Sequence, residues 1–352
     1  MMINIDFLLA GCNTRCRHCY VNGGPGPMMA TGDALLCMEK LDRLAALLPD
    51  ETSFTLDHEP MNHPEIARII SAAANTRNIQ NYHHGMTTGV ALMGRGDRAE
   101  VVRAYLDCGY HTFGITLHGS PEHHDRIVRR GGAFDAAVAA GEYLKEQGAS
   151  LEVTLMLNRF FVQDADGISR VLDRLRPQYI GFVIPIFTPH RNMMDFEPYR
   201  ASAGMAAGLA GHLSEWGQDE AALMNSIEHS TVAAGIRWLQ DQSLPDLFSQ
   251  EQEELYLSLH PDCRLYVGNS GAETQCLGDL RHIDLEEAAR AIRALPGNRD
   301  YGAFYNVDKL PAKERLINQL SELPQEALFG DYPSVIYRGL TELRIPARIG
   351  YF

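Results

Sequence analysis

Three cysteines carry the most specific chemistry in this 352-residue chain. Cys12, Cys16 and Cys19 lie at spacings of four and three in Cys12-Asn13-Thr14-Arg15-Cys16-Arg17-His18-Cys19-Tyr20, although cysteine supplies only 7 residues of the sequence. A [4Fe-4S] cluster ordinarily takes four thiolates, so three on one short loop would hold a cluster with one iron left open to a small molecule. Zinc and a redox-active thiol group are the competing readings. A structural zinc asks for a fourth cysteine or histidine close by, and His18, wedged between two thiols, is not placed to turn inward as that ligand. The spacing favours the iron–sulfur site.

Other polar candidates fall where strands are expected to end. Glu59 follows Thr52 to Leu56 in the stretch Asp57-His58-Glu59-Pro60, where a carboxylate can accept charge-assisted hydrogen bonds; the plain alternative is an acidic turn before a helix starting at Pro64. Thr88 sits in the turn Met86-Thr87-Thr88-Gly89, Thr116 and His118 close a fourth strand, and Asn158 closes a fifth. His83 and His84 are read as solvated or packed rather than functional. Cys37 shares a helical face with Leu41, Leu44 and Leu48, and Cys108 one with Val101 and Tyr105, which marks both as core filling.

The elements needed to position these residues alternate along the first half. Strands are predicted over residues 2–9, 52–56, 79–84, 112–117, 151–158 and 179–186, with helices over about 31–48, 65–74, 134–147 and 168–175 and Thr31 as a plausible N-cap. Six strand–helix repeats in about 190 residues predict an α/β fold, a partial (β/α)6 TIM-type barrel with right-handed crossovers. In such folds sites gather at the C-terminal ends of the strands, where the cysteine loop would lie. Residues 1–190 are expected to form this barrel and residues 191–352 a C-terminal α+β extension. The extension should hold helices over 201–216, 221–240, 284–295 and 311–323 and a strand over 255–259, preceded by the acidic Glu251, Glu253 and Glu254. The tail ending in Tyr351-Phe352 suggests no chemistry.

The C-x-x-x-C-x-H-C-Y loop after a first strand resembles the radical S-adenosylmethionine (radical SAM) superfamily, closest to the branch bearing SPASM or twitch extensions. The resemblance implies a [4Fe-4S] cluster on Cys12, Cys16 and Cys19. Its open iron would chelate SAM, and one electron would cleave SAM to a 5′-deoxyadenosyl radical. It further implies SAM contacts at Tyr20, Glu59, Thr88, Thr116, Arg129 and Asn158. Asp57 and His58 stand where the family has two glycines, and an inserted residue leaves Arg126 as an alternative to the favoured Arg129. Cys263, Gly271, Cys276 and Gly278-Asp279-Leu280 resemble the opening of a SPASM or twitch domain, yet no cysteine follows Cys276. Three readings of Cys263 and Cys276 stay open: ligands of a second cluster, packed thiols, or a catalytic hydrogen-atom donor. With no second cluster to take electrons, redox-neutral outcomes such as epimerisation, rearrangement or decarboxylation gain over dehydrogenation.

Composition excludes several partners. With 31 basic against 45 acidic residues the net charge is −14 and no basic run interrupts it, which argues against nucleic acid and anionic membranes. No leader and no long apolar stretch are seen, and an odd number of thiols suits a reducing compartment, so a cytoplasmic enzyme is expected. The chain starts eleven residues before Cys12, without the peptide-recognition domain of many relatives, which tilts the expected substrate toward a small polar metabolite in natural-product biosynthesis rather than a ribosomal peptide. A flavodoxin or ferredoxin is the expected electron donor. A non-catalytic iron–sulfur carrier or sensor is the reading from a different class.

Overall fold

The computed structural model describes residues 2–81, 83–189, 191–244, 254–271, 273–295, 297 and 305–347; Glu251, Glu253, Tyr351 and Phe352 lie outside them. The strands are β1 (Met2–Leu8), β2 (Thr52–Asp57), β3 (Gln80–Asn81), β4 (His84–Met86), β5 (Thr112–Leu117), β6 (Ser150–Met156), β7 (Tyr179–Val183), β8 (Glu254–Leu259), β9 (Arg264–Val267) and β10 (Gln275–Asp279). The helices of eight or more residues are α1 (Thr31–Ala45), α2 (Ile66–Ala73), α3 (Arg98–Asp107), α4 (Pro121–Val128), α5 (Ala133–Glu146), α6 (Phe161–Leu175), α7 (Glu220–His229), α8 (Val232–Asp241), α9 (Leu285–Arg293), α10 (Lys313–Ser321) and α11 (Tyr332–Glu342).

The strands form two sheets, in the orders β10-β9-β8-β1-β2-β3 and β4-β5-β6-β7. All pairings among β1 to β7 are parallel, the arrangement of a partial TIM-type barrel. β8 pairs parallel with β1 from Met2–Glu254 to Phe7–Leu259, and β9 and β10 follow as antiparallel strands. The first sheet thus runs across residue 190, the expected division of the chain.

Alternation in β1 decides what each face does. Ile3, Ile5 and Phe7 are buried in one apolar group with Cys37, Leu41 and Leu44 of α1 and with Leu255 and Leu257 of β8. Asn4 and Asp6 point the other way, where Ser53 Oγ donates to Asn4 Oδ1 (2.8 Å) and the Ser270 N–H to Asp6 Oδ2 (3.4 Å). On the second sheet α6 buries Phe161, Ala165, Ile168, Leu172 and Leu175, a helical stripe that covers Leu151, Val153 and Leu155 of β6.

Four expectations are corrected. The third strand is two short pieces in separate sheets, because Gln80-Asn81 and His83-His84 supply no continuous apolar run and His83 packs on Tyr110 between them, with ring centroids 5.2 Å apart. Helix 201–216 breaks into single turns at Gly208, and helix 221–240 breaks at Thr231, whose Oγ1 caps α8 by accepting from the Ala234 N–H (3.0 Å). Ala30, not Thr31, is the N-cap of α1; Thr31 lies in the first turn and donates to Glu65.

Candidate active site

The cysteine loop leaves β1 and is tied down from both sides. The Arg15 and Arg17 N–H groups donate to the carbonyls of Val128 (3.2 Å) and Ile127 (2.9 Å) at the end of α4, and Arg130 Nη1 reaches the Asn13 carbonyl (2.7 Å). From β2, Asn62 Nδ2 donates to the Gly11 carbonyl (2.6 Å) and accepts at Oδ1 from Asn13 Nδ2 (3.2 Å).

Burial raises all three thiols, and neighbouring thiols add to the rise at Cys12 and Cys19. Burial comes first in pushing Cys12 up, followed by Glu59, Cys19 and Cys16; Cys19 is raised to about 12 by burial and then Cys16. Cys16 is also raised by burial, with Thr14 and Arg129 pulling the other way. Neutral thiols this reluctant to ionise need a cation among them before they become thiolates. Gly23 wraps the site: a methyl group there would sit 3.2 Å from Cys19 Sγ and 3.4 Å from both Cys12 Sγ and His58 Cδ2. Among the described residues no three His, Cys, Asp or Glu side chains converge as ligands of one ion would. A cluster does not require that, since each cysteine binds a different iron. The donor set fits a [4Fe-4S] cluster.

Glu59 is fully buried beside this loop. Its Oε2 accepts from the Thr88 N–H (2.6 Å) and Thr88 Oγ1 (2.7 Å), and its Oε1 from Thr87 Oγ1 (3.1 Å). Burial holds its carboxyl above the ordinary range against these hydrogen bonds. Nothing cationic pairs with it in these contacts, so an ammonium brought by a ligand would complete the charge balance. Thr88 Oγ1 also meets Asn13 Oδ1 (3.2 Å), which links the carboxylate to the cysteine loop.

A cavity of about 130 Å³ opens between the loop and the strand ends, lined by Cys16, His18, His58, Thr88, Thr116 and His118 among others. His18 turns inward after all, a correction with a clear cause: its Nε2 lies 2.6 Å from His118 Nε2 and the two rings stack at 4.6 Å, while His118 Nδ1 faces His124 Nδ1 at 3.4 Å. Burial depresses His18 and His124 to about 4 and His118 further, so the chain is neutral at physiological pH. Single histidines give no sign of this chain in the sequence, because His18 lies a hundred residues from His118. His58 takes a left-handed φ of 64°, where the family pattern has glycine; its Nδ1 stands 3.4 Å from Asp57 Oδ2, outside hydrogen-bond geometry.

The implied SAM contacts differ in placement. Thr88 and Thr116 line the cavity, and Arg129 lies close enough to Cys16 to ease its ionisation while pairing with Asp195. Arg126 faces outward and pairs with Glu122 at 2.8 Å. Tyr20 is 40% exposed, and its carbonyl accepts from Thr188 Oγ1 (3.2 Å). Asn158 is buried at the end of β6, but its amide is engaged locally: Nδ2 donates to the carbonyls of His118 (2.7 Å) and Met156 (3.1 Å), and Oδ1 accepts from the Phe160 N–H (3.0 Å).

Residues 8–166 match the profile of the Radical SAM superfamily. The chain carries a radical SAM domain. It is a radical SAM enzyme, and the cofactors of that chemistry are a [4Fe-4S] cluster and SAM. No curated protein matches the chain by sequence. Among solved structures, anSMEcpe with bound AdoMet and the Cp18Cys peptide is similar at 11% identity with a TM-score of 0.52, covering 97% of this chain and 96% of that one. Streptococcus suis SuiB bound to the precursor peptide SuiA is similar at 10% identity with a TM-score of 0.51, covering 95% and 75%. At these identities the likeness is one of fold, and it takes in the C-terminal half.

Cys263 and Cys276 are placed differently by the fold. Cys263 is fully buried in the helix-covered layer, in one apolar group with Cys37, which is the opposite face of the sheet from Asp6. Cys276 is exposed on the outermost strand β10, opposite Tyr266. Cys263 faces away from the barrel interior, whereas Cys276 shares the sheet face of Asp6 through its partners Tyr266 and Ser258, out on the edge strand. Facing apart, they do not form a ligand pair for a second cluster.

Proposed function

We propose that this radical SAM enzyme abstracts hydrogen from a polar substrate held inside the barrel and returns the electrons within substrate and SAM. When bound, the cluster and SAM supply a 5′-deoxyadenosyl radical that takes a hydrogen atom. In this reading Cys12, Cys16 and Cys19 hold the cluster and Glu59, positioned by Thr87 and Thr88, takes the SAM ammonium. Thr116 and Arg129 orient the rest of SAM, and the neutral histidine chain walls the cavity.

The observation that carries the substrate reading is the polar inner face beside this cavity. Asn4, Asp6 and Ser53 face inward from β1 and β2. The β8 side adds His260, whose Nε2 lies 2.7 Å from Glu273 Oε1. Asp6 and Glu273 both act on the charge of His58, so the lining continues to the SAM cavity. A barrel meant only to hold a cluster for electron transfer needs no such lining. A ribosomal-peptide substrate is the second reading, favoured by the fold likeness to anSMEcpe and SuiB, both solved with peptides bound. Anaerobic reconstitution with dithionite and SAM tests the central claim: 5′-deoxyadenosine should accumulate, and its absence from a sample holding about four irons per chain would sink it. A flavodoxin or ferredoxin is the physiological electron donor in this proposal.

A further inference from the structure

Around the cysteine loop the charge of the molecule reverses. Arg15 and Arg17 belong to the loop itself, Arg126 and Arg130 to the end of α4 and the residues after it, and Arg159 to the turn after β6. Arg15, Arg126, Arg130 and Arg159 are exposed. Arg17, Arg126 and Arg159 are knit into one surface, with Arg15 and Arg130 beside them on the loop and just past the end of α4. Arg17 Nε donates to the Arg126 carbonyl (3.1 Å), the Arg17 guanidinium lies 4.9 Å from the Tyr199 ring centre, and those of Arg126 and Arg159 lie 5.9 and 5.8 Å from the ring centre of Phe160. His123 stacks on Phe160 with ring centroids 3.9 Å apart. Of the carboxylates at hand, Glu122 pairs with Arg126, Asp195 with Arg129, Asp164 with His123, and Asp125 accepts the Gly132 and Phe134 N–H groups. Among the described ion pairs none joins Arg15, Arg17, Arg130 or Arg159 to a carboxylate.

Cations held over aromatic rings keep their charge while gaining a rigid, partly apolar backing, which is the makeup of a protein-docking surface. An overall charge of −14 would repel an acidic partner at long range. At physiological salt, fields fade over about 8 Å, so at contact the local cations decide. The place is as telling as the charge: Arg17 lies between Cys16 and Cys19, and anything seated on it is one loop thickness from the thiolates.

We propose that this arginine–aromatic face is the docking site for an acidic one-electron carrier protein, of the flavin or iron–sulfur kind. The carrier loses one electron and the cluster gains it, with no bond or proton transferred at the contact. This rests on the cluster reading of Cys12, Cys16 and Cys19.

The test uses the reconstituted holoenzyme with SAM and reads 5′-deoxyadenosine, once with reduced flavodoxin as the probe and once with dithionite. For Arg159→Glu the KM for flavodoxin should rise about tenfold, as expected for roughly 1.4 kcal/mol of lost complementarity. Arg159→Lys should stay near wild type, and the dithionite rate should not change. On the wild type, raising salt from about 50 to about 200 mM should raise the flavodoxin KM several-fold while leaving the dithionite rate flat. An unchanged flavodoxin KM in Arg159→Glu with intact dithionite activity overturns the docking site. So does a flavodoxin KM of the wild type indifferent to salt, a measurement that stands even if the variant fails to load iron. Failure of dithionite itself would overturn the underlying reading, and the docking site with it.

Discussion

At the scale of single residues, Glu59 and Gly23 separate cofactor binding from cluster binding. Glu59 is a buried carboxylate with hydroxyl and amide donors but without a described cation, so its charge is best satisfied by a bound ammonium. In Glu59→Gln the Kd for SAM, measured by equilibrium dialysis on the reconstituted protein, should rise about 10- to 100-fold with iron content unchanged. Gly23 works on the other partner. Gly23→Ala places a methyl 3.2 to 3.4 Å from Cys19 and Cys12 Sγ, where the thiolates have little freedom to give. Iron and sulfide assays on that variant should fall well below about four irons per chain, whatever SAM does. Should Gly23→Ala load iron fully, the close wrapping of the loop has no part in holding the cluster.

At the scale of elements, the contacts between neighbouring units set how firmly the strand ends are held. Asp42, on α1, accepts the N–H groups of Arg77 (2.7 Å), Asn78 (2.7 Å) and Ile79 (3.3 Å) just before β3. Burial is the largest single influence and raises its carboxyl, but these hydrogen bonds together outweigh it and hold the group below the ordinary range. A depressed folded value means the stabilisation is present above the unfolded value, about 3.9, and is lost as pH falls through the folded one. Asp42→Ala should therefore cost about 1 kcal/mol in urea melts at pH 7, with the difference shrinking toward pH 3. Legibility in sequence divides at this scale too. Strong local patterns were readable: the alternation of Ile3, Ile5 and Phe7, the stripe from Phe161 to Leu175 and the cysteine spacing all express local geometry. The split of β3 from β4 was not, because the polar run from Gln80 to His84 carries no period. The partnership of β8 with β1 and the meeting of His18 with His118 depend on register between distant segments, which no local pattern encodes.

At the scale of the whole molecule, the sheet β10-β9-β8-β1-β2-β3 joins the last third of the chain to its first strand. Leu255 and Leu257 of β8 are fully buried against the group that backs β1. Leu257→Asp should destabilise the fold by several kcal/mol through an unpaired buried charge, seen as a lower urea midpoint and poor iron loading in the soluble fraction. Residues 1–190 expressed alone should likewise be poorly soluble, since β1 becomes a bare apolar edge. No helix among the described residues is long and apolar enough to cross a membrane. The pairing of β1 with β8 also bears on the order of events during synthesis. The strand that leads directly into Cys12 is made well before its neighbour on one side, which follows about 250 residues later. At synthesis rates of about 5–20 residues per second, β1 waits tens of seconds half-paired. A folding path with so long-range a closing step is slow, and the loop gains its full frame only once β8 has been made. A chain released before β8 is made would carry the three thiols without the frame that holds them.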